Sequence, residues 1–187
     1  MQRRALLAGC GALWACGSPP PVANVEEGAE RRVLSPLRFG WVSSRQSTGE
    51  LPSAIALGGE ASGRVLLFFE FEELSDARRL LRAELRLSTT GVPGQALDVE
   101  LSRSEAARGQ LRAWSDQPQA LYPRVTARLS TDANPARLDV TQLVRAQAKP
   151  GVPLRILLRA EPGGREPLLI QTGAAGGAAP ELEAYWA

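Results

Sequence analysis

Histidine is absent from this 187-residue sequence, and cysteine occurs only twice, at Cys10 and Cys16. These two residue types supply most general bases, nucleophiles and soft metal ligands in enzymes. Carboxylates remain, and Asp98 and Glu100 share one face of a predicted strand. Such a pair on a wet strand face is more typical of a solvated surface than of a glycosidase. The sequence therefore predicts a protein that is not an enzyme and that holds no catalytic cofactor.

An excess of charge of one sign is also missing. The chain has 22 Lys and Arg residues against 20 Asp and Glu residues. Arg3 and Arg4 lie in a segment that we expect to be removed, and without them 20 basic residues balance 20 acidic ones. A nucleic-acid-binding protein needs a concentrated basic face. The sequence therefore predicts no nucleic-acid partner.

Long hydrophobic runs are absent too, and the longest one near the start has the form of an export signal. The stretch MQRRALLAGCGALWACGSPPP begins with two arginines and continues with apolar residues 5–15, which are too few to span a bilayer. It resembles a bacterial lipoprotein signal, and the RRALL run also resembles a twin-arginine signal. An uncleaved signal or membrane stub is the alternative.

Two cysteines compete as the lipidation site. Cys10 ends the better lipobox, LAGC, but only five apolar residues precede it, whereas eleven precede Cys16. We therefore predict a signal peptide over residues 1–16 with Cys16 lipidated, and Cys10 as the alternative. Residues 17–33 are rich in proline and poor in large apolar groups, which predicts a disordered tether. The expected location is a membrane-anchored lipoprotein of the cell envelope or outer surface.

From residue 34 onward the hydrophobic period is mostly two, which indicates β-strands. The run GRVLLFFEFEEL over 63–74 is apolar on both faces around Phe68, so it predicts a central strand covered on both sides. Runs 81–88 and 96–102 alternate on either side of turn-forming residues and predict an antiparallel hairpin. Further strands are predicted near 37–42, 53–57, 123–130, 153–160, 166–172 and 181–186.

One short helix is predicted near 141–148, with Thr141 as its N-cap and Lys149-Pro150-Gly151 as its stop. A chain with many short strands, frequent turns and one helix is typical of a β-sandwich or barrel. The predicted fold is therefore an all-β, two-sheet antiparallel β-sandwich over residues 34–187.

Five motifs in order make this chain similar to bacterial DNRLRE-type domains, which include carbohydrate-binding module family 96. The motifs are GRVLLFFEF at 63–71, RAELRL at 82–87, AWSDQP at 113–118, LDVTQLVRA at 138–146 and PELEAYW at 180–186. The resemblance covers residues 50–187 and implies a jelly-roll β-sandwich, shaped like the propeptides of TGF-β-type growth factors, that binds carbohydrate. The chain departs from the family where 146–148 lack an aromatic residue and where 118–138 lack a second tryptophan.

Arginines and aromatic residues are the candidate glycan-binding side chains. Arginine binds carboxylates of acidic sugars in bidentate fashion, and sugar rings pack on aromatic faces. The arginine rows on predicted strand faces are Arg82 with Arg86, Arg124 with Arg128, and Arg155 with Arg159. Neighbouring strands would make them one basic stripe, whereas pairing with Glu84, Asp98 and Glu100 would make them an ordinary wet face.

Among the aromatic residues, Tyr122 is the candidate predicted to be exposed, since it lies in a loop beside a proline. Trp41, Trp114, Tyr185 and Trp186 are the others, and core packing is the alternative for each. Tyr185 and Trp186 are adjacent in a strand, so one is predicted to point inward and one outward.

Two acidic loop positions suggest a structural calcium ion, at Asp116 and in DANP at 132–135, with an ordinary turn as the alternative at both. The expected function is a non-catalytic, membrane-anchored module that binds carbohydrate, including acidic polysaccharide. The alternative is a structural or assembly lipoprotein that docks on another envelope protein and binds no glycan.

Overall fold

A computed structural model describes residues 28–45, 50–74, 79–107, 109–163 and 166–187. Cys10, Cys16 and residues 17–27 of the predicted tether lie outside these ranges. The strands are β1 (Glu30–Leu34), β2 (Arg38–Ser43), β3 (Ala54–Leu57), β4 (Val65–Phe71), β5 (Leu80–Leu87), β6 (Thr89–Thr90), β7 (Ala96–Ser104), β8 (Ala120–Ser130), β9 (Ala136–Asp139), β10 (Leu154–Ala160), β11 (Leu168–Gln171) and β12 (Glu181–Trp186). Helix α1 is Thr141–Gln147, and three 3-10 turns cover Glu60–Ser62, Trp114–Asp116 and Ala174–Gly176.

The strands form three antiparallel sheets. The five-stranded sheet has the order β2-β4-β10-β7-β8, the four-stranded sheet β1-β12-β5-β9 and the three-stranded sheet β3-β11-β6. Side chains of all three sheets meet in one core. The all-β antiparallel sandwich with one short helix is thus confirmed. Three sheets are present rather than the predicted two, because the chain run that forms β5 and β6 is interrupted at Ser88.

Strand β4 confirms the central position predicted for the phenylalanine-rich run. It pairs with β2 on one side and β10 on the other. Leu67, Phe69 and Phe71 enter the main core between the sheets. Leu66 and Phe68 face the other way, into a smaller core that Leu111, Trp114 and Ala120 help to cover. Residues 105–107 and 109–119, which we call the cover segment, therefore lie over part of the outer face of the five-stranded sheet.

The predicted hairpin between 81–88 and 96–102 is wrong. Strand β5 pairs with β12 and β9, whereas β7 pairs with β8 and β10 in the five-stranded sheet. Between them, Thr89 and Thr90 form β6 and pair with β11. The chain then crosses from one layer to the other over residues 91–95, so alternation alone did not reveal the partner of either strand.

Helix α1 lies where it was predicted, but Thr141 is not its N-cap. Val140 occupies the cap position, and the Thr141 hydroxyl instead accepts a hydrogen bond from the Ala83 amide at 2.9 Å. The Asp139 carboxylate accepts from the Thr141 amide at 2.9 Å and serves the helix start. Thr141 thereby links α1 to strand β5.

Strand β1 starts at Glu30, inside the 17–33 segment assigned to the tether. Its five residues pair with β12, from Glu30 opposite Trp186 to Leu34 opposite Leu182. Strands β1 and β6 are short and carry few apolar residues, so hydrophobic alternation did not indicate them. Strand β9 alternates, with Ala136 and Leu138 buried, but it spans only four residues. The folded domain therefore begins four residues before the predicted boundary.

Candidate functional site

Arg82 and Arg86 lie on the outer face of the four-stranded sheet, on either side of Glu84. Glu84 and its cross-strand neighbour Glu183 are 3% and 1% exposed, although both point away from the core. Arginines lie over them, so that guanidinium groups cover the two carboxylates. We call this group the carboxylate cluster, and its members are Arg31, Arg82, Glu84, Arg86, Arg137, Glu183 and Tyr185.

Each buried carboxylate in the cluster has several partners. Arg137 Nη1 donates to Glu84 Oε2 at 2.9 Å and to Glu183 Oε2 at 3.3 Å. Arg31 and Tyr185 both donate to Glu183 Oε1, the tyrosine hydroxyl at 2.7 Å. The cluster joins strands β1, β5, β9 and β12, so its role is to hold the four-stranded sheet together.

Electrostatics within the cluster keep Glu183 ionised. Burial alone would raise the pKa of Glu183, but the hydrogen bonds from Tyr185 and Arg31 and the charges of Arg31 and Arg137 hold it below its ordinary value. Burial first, and then the hydrogen bond to the Glu183 carboxylate, raises the pKa of Tyr185. The hydrogen bond to Glu84 raises the pKa of Arg137. The pKa shifts of Glu183 and Tyr185 thus follow from burial and from contacts within the carboxylate cluster.

The other two arginine rows lie on the outer face of the five-stranded sheet. Strand β7 separates them and contributes acidic side chains: Arg124 lies 3.5 Å from Glu100, and Arg128 lies 3.4 Å from Asp98. In the other row, Arg155 Nε donates to Glu70 at 2.5 Å, and Arg159 Nη2 donates to Gln117 Oε1 at 3.3 Å.

The three arginine rows do not form one basic stripe, and that interpretation is wrong. The row with Arg82 lies on the opposite side of the sandwich, because β5 does not belong to the sheet of β8 and β10. The alternative is what the structure contains, since Glu84, Asp98 and Glu100 each pair with an arginine. These arginines are therefore parts of ordinary charged faces.

Tyr122 is exposed as predicted, but the prediction that it lies in a loop is wrong, because β8 begins at Ala120 and includes it. Its side chain is 74% exposed, and the Arg124 guanidinium carbon lies 5.2 Å from the ring centroid. The Tyr122 carbonyl accepts a hydrogen bond from Arg103 Nε. Tyr122 and Arg124 thus form a small exposed platform at the start of β8.

Tyr185 and Trp186 point to opposite faces, as predicted. Trp186 is 8% exposed and belongs to the main core. Tyr185 lies on the outer face in the carboxylate cluster. Trp114 is half-buried, and it packs the cover segment against the smaller core. Trp41 alone among these side chains lines a large concave surface.

That surface is a groove of about 680 Å³ beside strand β2. Its lining includes the strand stretch 38–41, in which Phe39 and Trp41 pack against the main core and Arg38 and Gly40 lie on the opposite face of the sheet, toward Phe68 and Leu111. One wall consists of Glu50 and Leu51, and the other consists of residues 110–112 of the cover segment. A volume of this size is typical of small-molecule sites, which occupy about 300–1,000 Å³.

Two aromatic residues of the groove lining, Phe39 and Trp41, pack against the main core. Phe39 stacks on Phe69 with ring centroids 5.0 Å apart, and Trp41 packs against the same core. The Trp41 Nε1 atom is buried and has no hydrogen-bond partner among the described residues. Phe39 and Trp41 are therefore half-buried.

The second wall presents polar groups in a fixed arrangement. Arg112 Nε and Nη2 both donate to Gln110 Oε1, at 3.2 and 2.9 Å. The backbone amides of Arg112 and Ala113 donate to Asp116 Oδ2 at 3.0 and 2.9 Å, and these two bonds lower the pKa of Asp116. The Asp116 carboxylate therefore organises the loop that carries Gln110 and Arg112.

At the calcium positions suggested by the sequence, the acidic and amide oxygens accept hydrogen bonds from the protein. Asp132 accepts from the Gly94 amide at 3.0 Å, and Asn134 accepts from the Thr89 amide at 3.2 Å. Among the described residues, no three His, Cys, Asp or Glu side chains are grouped to hold a metal ion. None of the helices in the described part of the chain is long and apolar enough to cross a membrane.

Sequence reasoning missed most of the groove. It selected Trp41 as an aromatic candidate but not Arg38, Phe39, Gln110 or Arg112. These residues come from stretches about 70 positions apart in the chain, so no local pattern joins them. The one local pattern that pointed to the groove is RFGW at 38–41, where two aromatic residues flank a glycine and an arginine precedes them.

Comparison with models of protein families finds none that matches this chain. Comparison with curated proteins likewise finds no match.

Proposed function

We propose that this chain is a non-catalytic carbohydrate-binding module that is exported and held at the cell envelope by an N-terminal lipid. The observation that carries the proposal is the groove beside β2. It combines two aromatic rings with arginine, glutamine and glutamate side chains, which is the set of groups that recognises sugars. The resemblance to DNRLRE-type domains supports the same ligand class.

The rings of Phe39 and Trp41 supply the apolar contact in this proposal. The CH face of a pyranose packs on an aromatic ring, while hydroxyl groups need hydrogen-bond partners. Gln110, Arg112 and Glu50 also line the groove and offer both donors and acceptors. Because the rings rest on Phe69 and the main core, ligand binding requires little ordering of the protein.

The charge of the groove favours an acidic polysaccharide. Arg38 and Arg112 line it together with one acidic residue, Glu50, which leaves the lining one positive charge in excess. Arg38 Nη1 donates to the Ala107 carbonyl at 3.4 Å and its guanidinium lies 5.8 Å from the Phe68 ring, so part of its hydrogen-bonding capacity is committed. Arg112 is therefore the better placed group for a sugar carboxylate.

The Tyr122–Arg124 platform is a second candidate surface, on which a sugar ring would stack without a surrounding groove. The arginines of the carboxylate cluster are weaker candidates, because buried glutamates already bind Arg82 and Arg86.

The lipid anchor in the proposal is Cys16, with Cys10 as the alternative. Thirteen residues lie between Cys16 and the start of β1 at Glu30, so fourteen Cα–Cα steps join them. A chain of that length reaches at most roughly 50 Å when fully extended. Metabolic labelling with a fatty-acid analogue tests the anchor: we expect Cys16→Ser to abolish labelling and Cys10→Ser to preserve it. The reverse result would assign the anchor to Cys10, and labelling of neither would remove it.

Affinity electrophoresis of the unacylated full chain in gels containing alginate, pectin or a neutral glucan tests glycan binding. We expect retardation in at least one gel, and a loss of about tenfold in affinity for Arg112→Ala. Arg128→Ala is the matched control, since it removes another exposed arginine, from a paired strand face. Tyr122→Ala separates the platform from the groove. A folded wild-type chain that migrates normally in all three gels would overturn the proposal.

A lipoprotein that docks on an envelope protein is the second candidate. Leu37 and Leu51, which lie next to or within the groove, are 68% and 38% exposed, and exposed leucines of this kind suit a protein contact. Absence of retardation in every gel would favour this candidate.

A further inference from the structure

Gly40 lies in the strand stretch 38–41 that lines the groove, and its lack of a side chain has a packing reason. It does not adopt a left-handed backbone conformation, so the strand geometry itself does not require glycine. A Cβ atom placed there would lie 3.1 Å from Leu111 Cδ1, 3.6 Å from its Cγ and 3.9 Å from its Cβ. Glycine within a strand often marks such a close approach. The side chain of Leu111 therefore packs directly against the backbone of Gly40.

Leu111 connects this seat to both the smaller core and the polar wall. It packs against the cluster that contains Val42 and Phe68, on the outer face of the five-stranded sheet. Its direct neighbours in sequence are Gln110 and Arg112, whose side chains are hydrogen-bonded to each other above the groove. A shift of Leu111 away from β2 would therefore also move Gln110 and Arg112, which are bonded to it in the chain.

We propose that the contact between Leu111 and Gly40 positions the polar wall of the groove. Leu111 and Gly40 are positioning residues in this account, because they act through Gln110 and Arg112. Asp116 accepts hydrogen bonds from the Arg112 and Ala113 amides and so fixes the shape of the loop. Leu111 fixes the distance between the loop and strand β2. The consequence for affinity rests on the proposed glycan binding, whereas the positioning of the wall does not.

Gly40→Val in the unacylated full chain tests the proposal, because valine suits a strand but its branched side chain occupies the seat of Leu111. We expect the Arg112 and Ala113 amides to exchange hydrogen at least about threefold faster, since the displaced loop weakens their bonds to Asp116. Affinity for whichever of the alginate, pectin and glucan gels retards the wild type should fall about tenfold. Gly163→Val is the matched control, since a Cβ atom there would meet nothing within 4 Å.

A size-exchanged double variant separates positioning from general damage to the fold. Gly40→Val with Leu111→Ala returns the added volume to the same site, and we expect it to recover slow exchange and most of the lost affinity. Exchange at the Arg112 and Ala113 amides that stays at the wild-type rate in Gly40→Val overturns the proposal, and so does a double variant no better than the single one. If no gel retards the wild type, glycan binding fails, and the exchange rates still decide how the wall is positioned.

Discussion

The two outer faces of the sandwich carry different chemistry. In the described part of the chain, the outer face of the four-stranded sheet carries two buried glutamates beneath four arginines. Residues 105–107 and 109–119 cover part of the outer face of the five-stranded sheet, where Leu66, Phe68 and Leu157 form an apolar layer. The row of Arg124 and Arg128 lies on the rest of that face. A sheet face can thus be closed by paired charges or by a covering segment, and the groove lies at the edge of the covering segment.

The apolar layer should contribute more stability than the charged one. Phe68→Ala removes a fully buried ring from beneath the cover segment, and we expect a loss of about 3–5 kcal/mol in the free energy of unfolding. Urea denaturation measures this loss. A loss below about 1 kcal/mol would mean that the cover segment repacks without the ring, and the contrast between the two faces would then fail.

Removing one buried carboxylate should have the next largest effect. Glu183→Gln leaves Arg31, Arg86 and Arg137 without a shared anion, and we expect a loss of about 2 kcal/mol because these arginines keep partial contact with water. Glu161→Gln is the matched control. Its partner is Arg64, both side chains are 60% exposed, and such pairs contribute at most about 1 kcal/mol. Equal losses in the two variants would contradict a special role for the cluster.

The stability difference between the wild type and Glu183→Gln should depend on pH. The pKa of Glu183 is lower in the folded chain than its ordinary value of 4.5, so the unfolded chain binds its proton first. The contribution of the carboxylate is therefore present above pH 4.5 and is lost as the pH falls through the lowered folded pKa. Urea midpoints of the two proteins should converge in acid. Midpoints that stay equally far apart down to pH 2 would contradict this assignment.

A smaller change is expected at alkaline pH. Burial and the Glu183 carboxylate raise the pKa of Tyr185 above its ordinary value of 10.0. The neutral tyrosine thus contributes stability below pH 10.0, and this contribution is lost as the pH rises through the raised pKa. Tyr185→Phe removes the titrating hydroxyl, so its urea midpoint should fall less between pH 9 and pH 11 than that of the wild type. An equal fall of the urea midpoint in both proteins would contradict a stabilising role for the Tyr185 hydroxyl.

Hydrophobic alternation was sufficient to predict most of the strands, because each strand of the main core buries one face. The run around Phe68 was assigned to a covered central strand for the same reason. Alternation carries no information about partners, however, and this is why β5 and β7 were wrongly paired. Strands β1 and β6 were missed because hydrogen bonds and charges, more than apolar burial, hold them in place. Strand β9 was missed because it spans only four residues, although its alternation buries Ala136 and Leu138.

The candidate site was less predictable than the fold. Charge pairing of the arginine rows follows from strand register, which the sequence did not reveal, so one basic stripe and paired wet faces stayed open as alternatives. The groove needs the cover segment to lie against β2, and there a Cβ atom at Gly40 would lie 3.1 Å from Leu111 Cδ1. Tyr122 was correctly expected to be exposed, because its neighbour Pro123 is a local signal.

Strand β1 has a mechanical consequence. Any load applied to the chain ahead of Glu30 enters the folded domain through a five-residue ladder with β12 and the contact between Arg31 and Glu183. Strand β12 is the last strand of the chain and lies inside its sheet, between β1 and β5. Traction on residues ahead of Glu30 is therefore resisted first by the pairing of β1 with β12, where the ion pair between Arg31 and the buried Glu183 opposes sliding between the two strands.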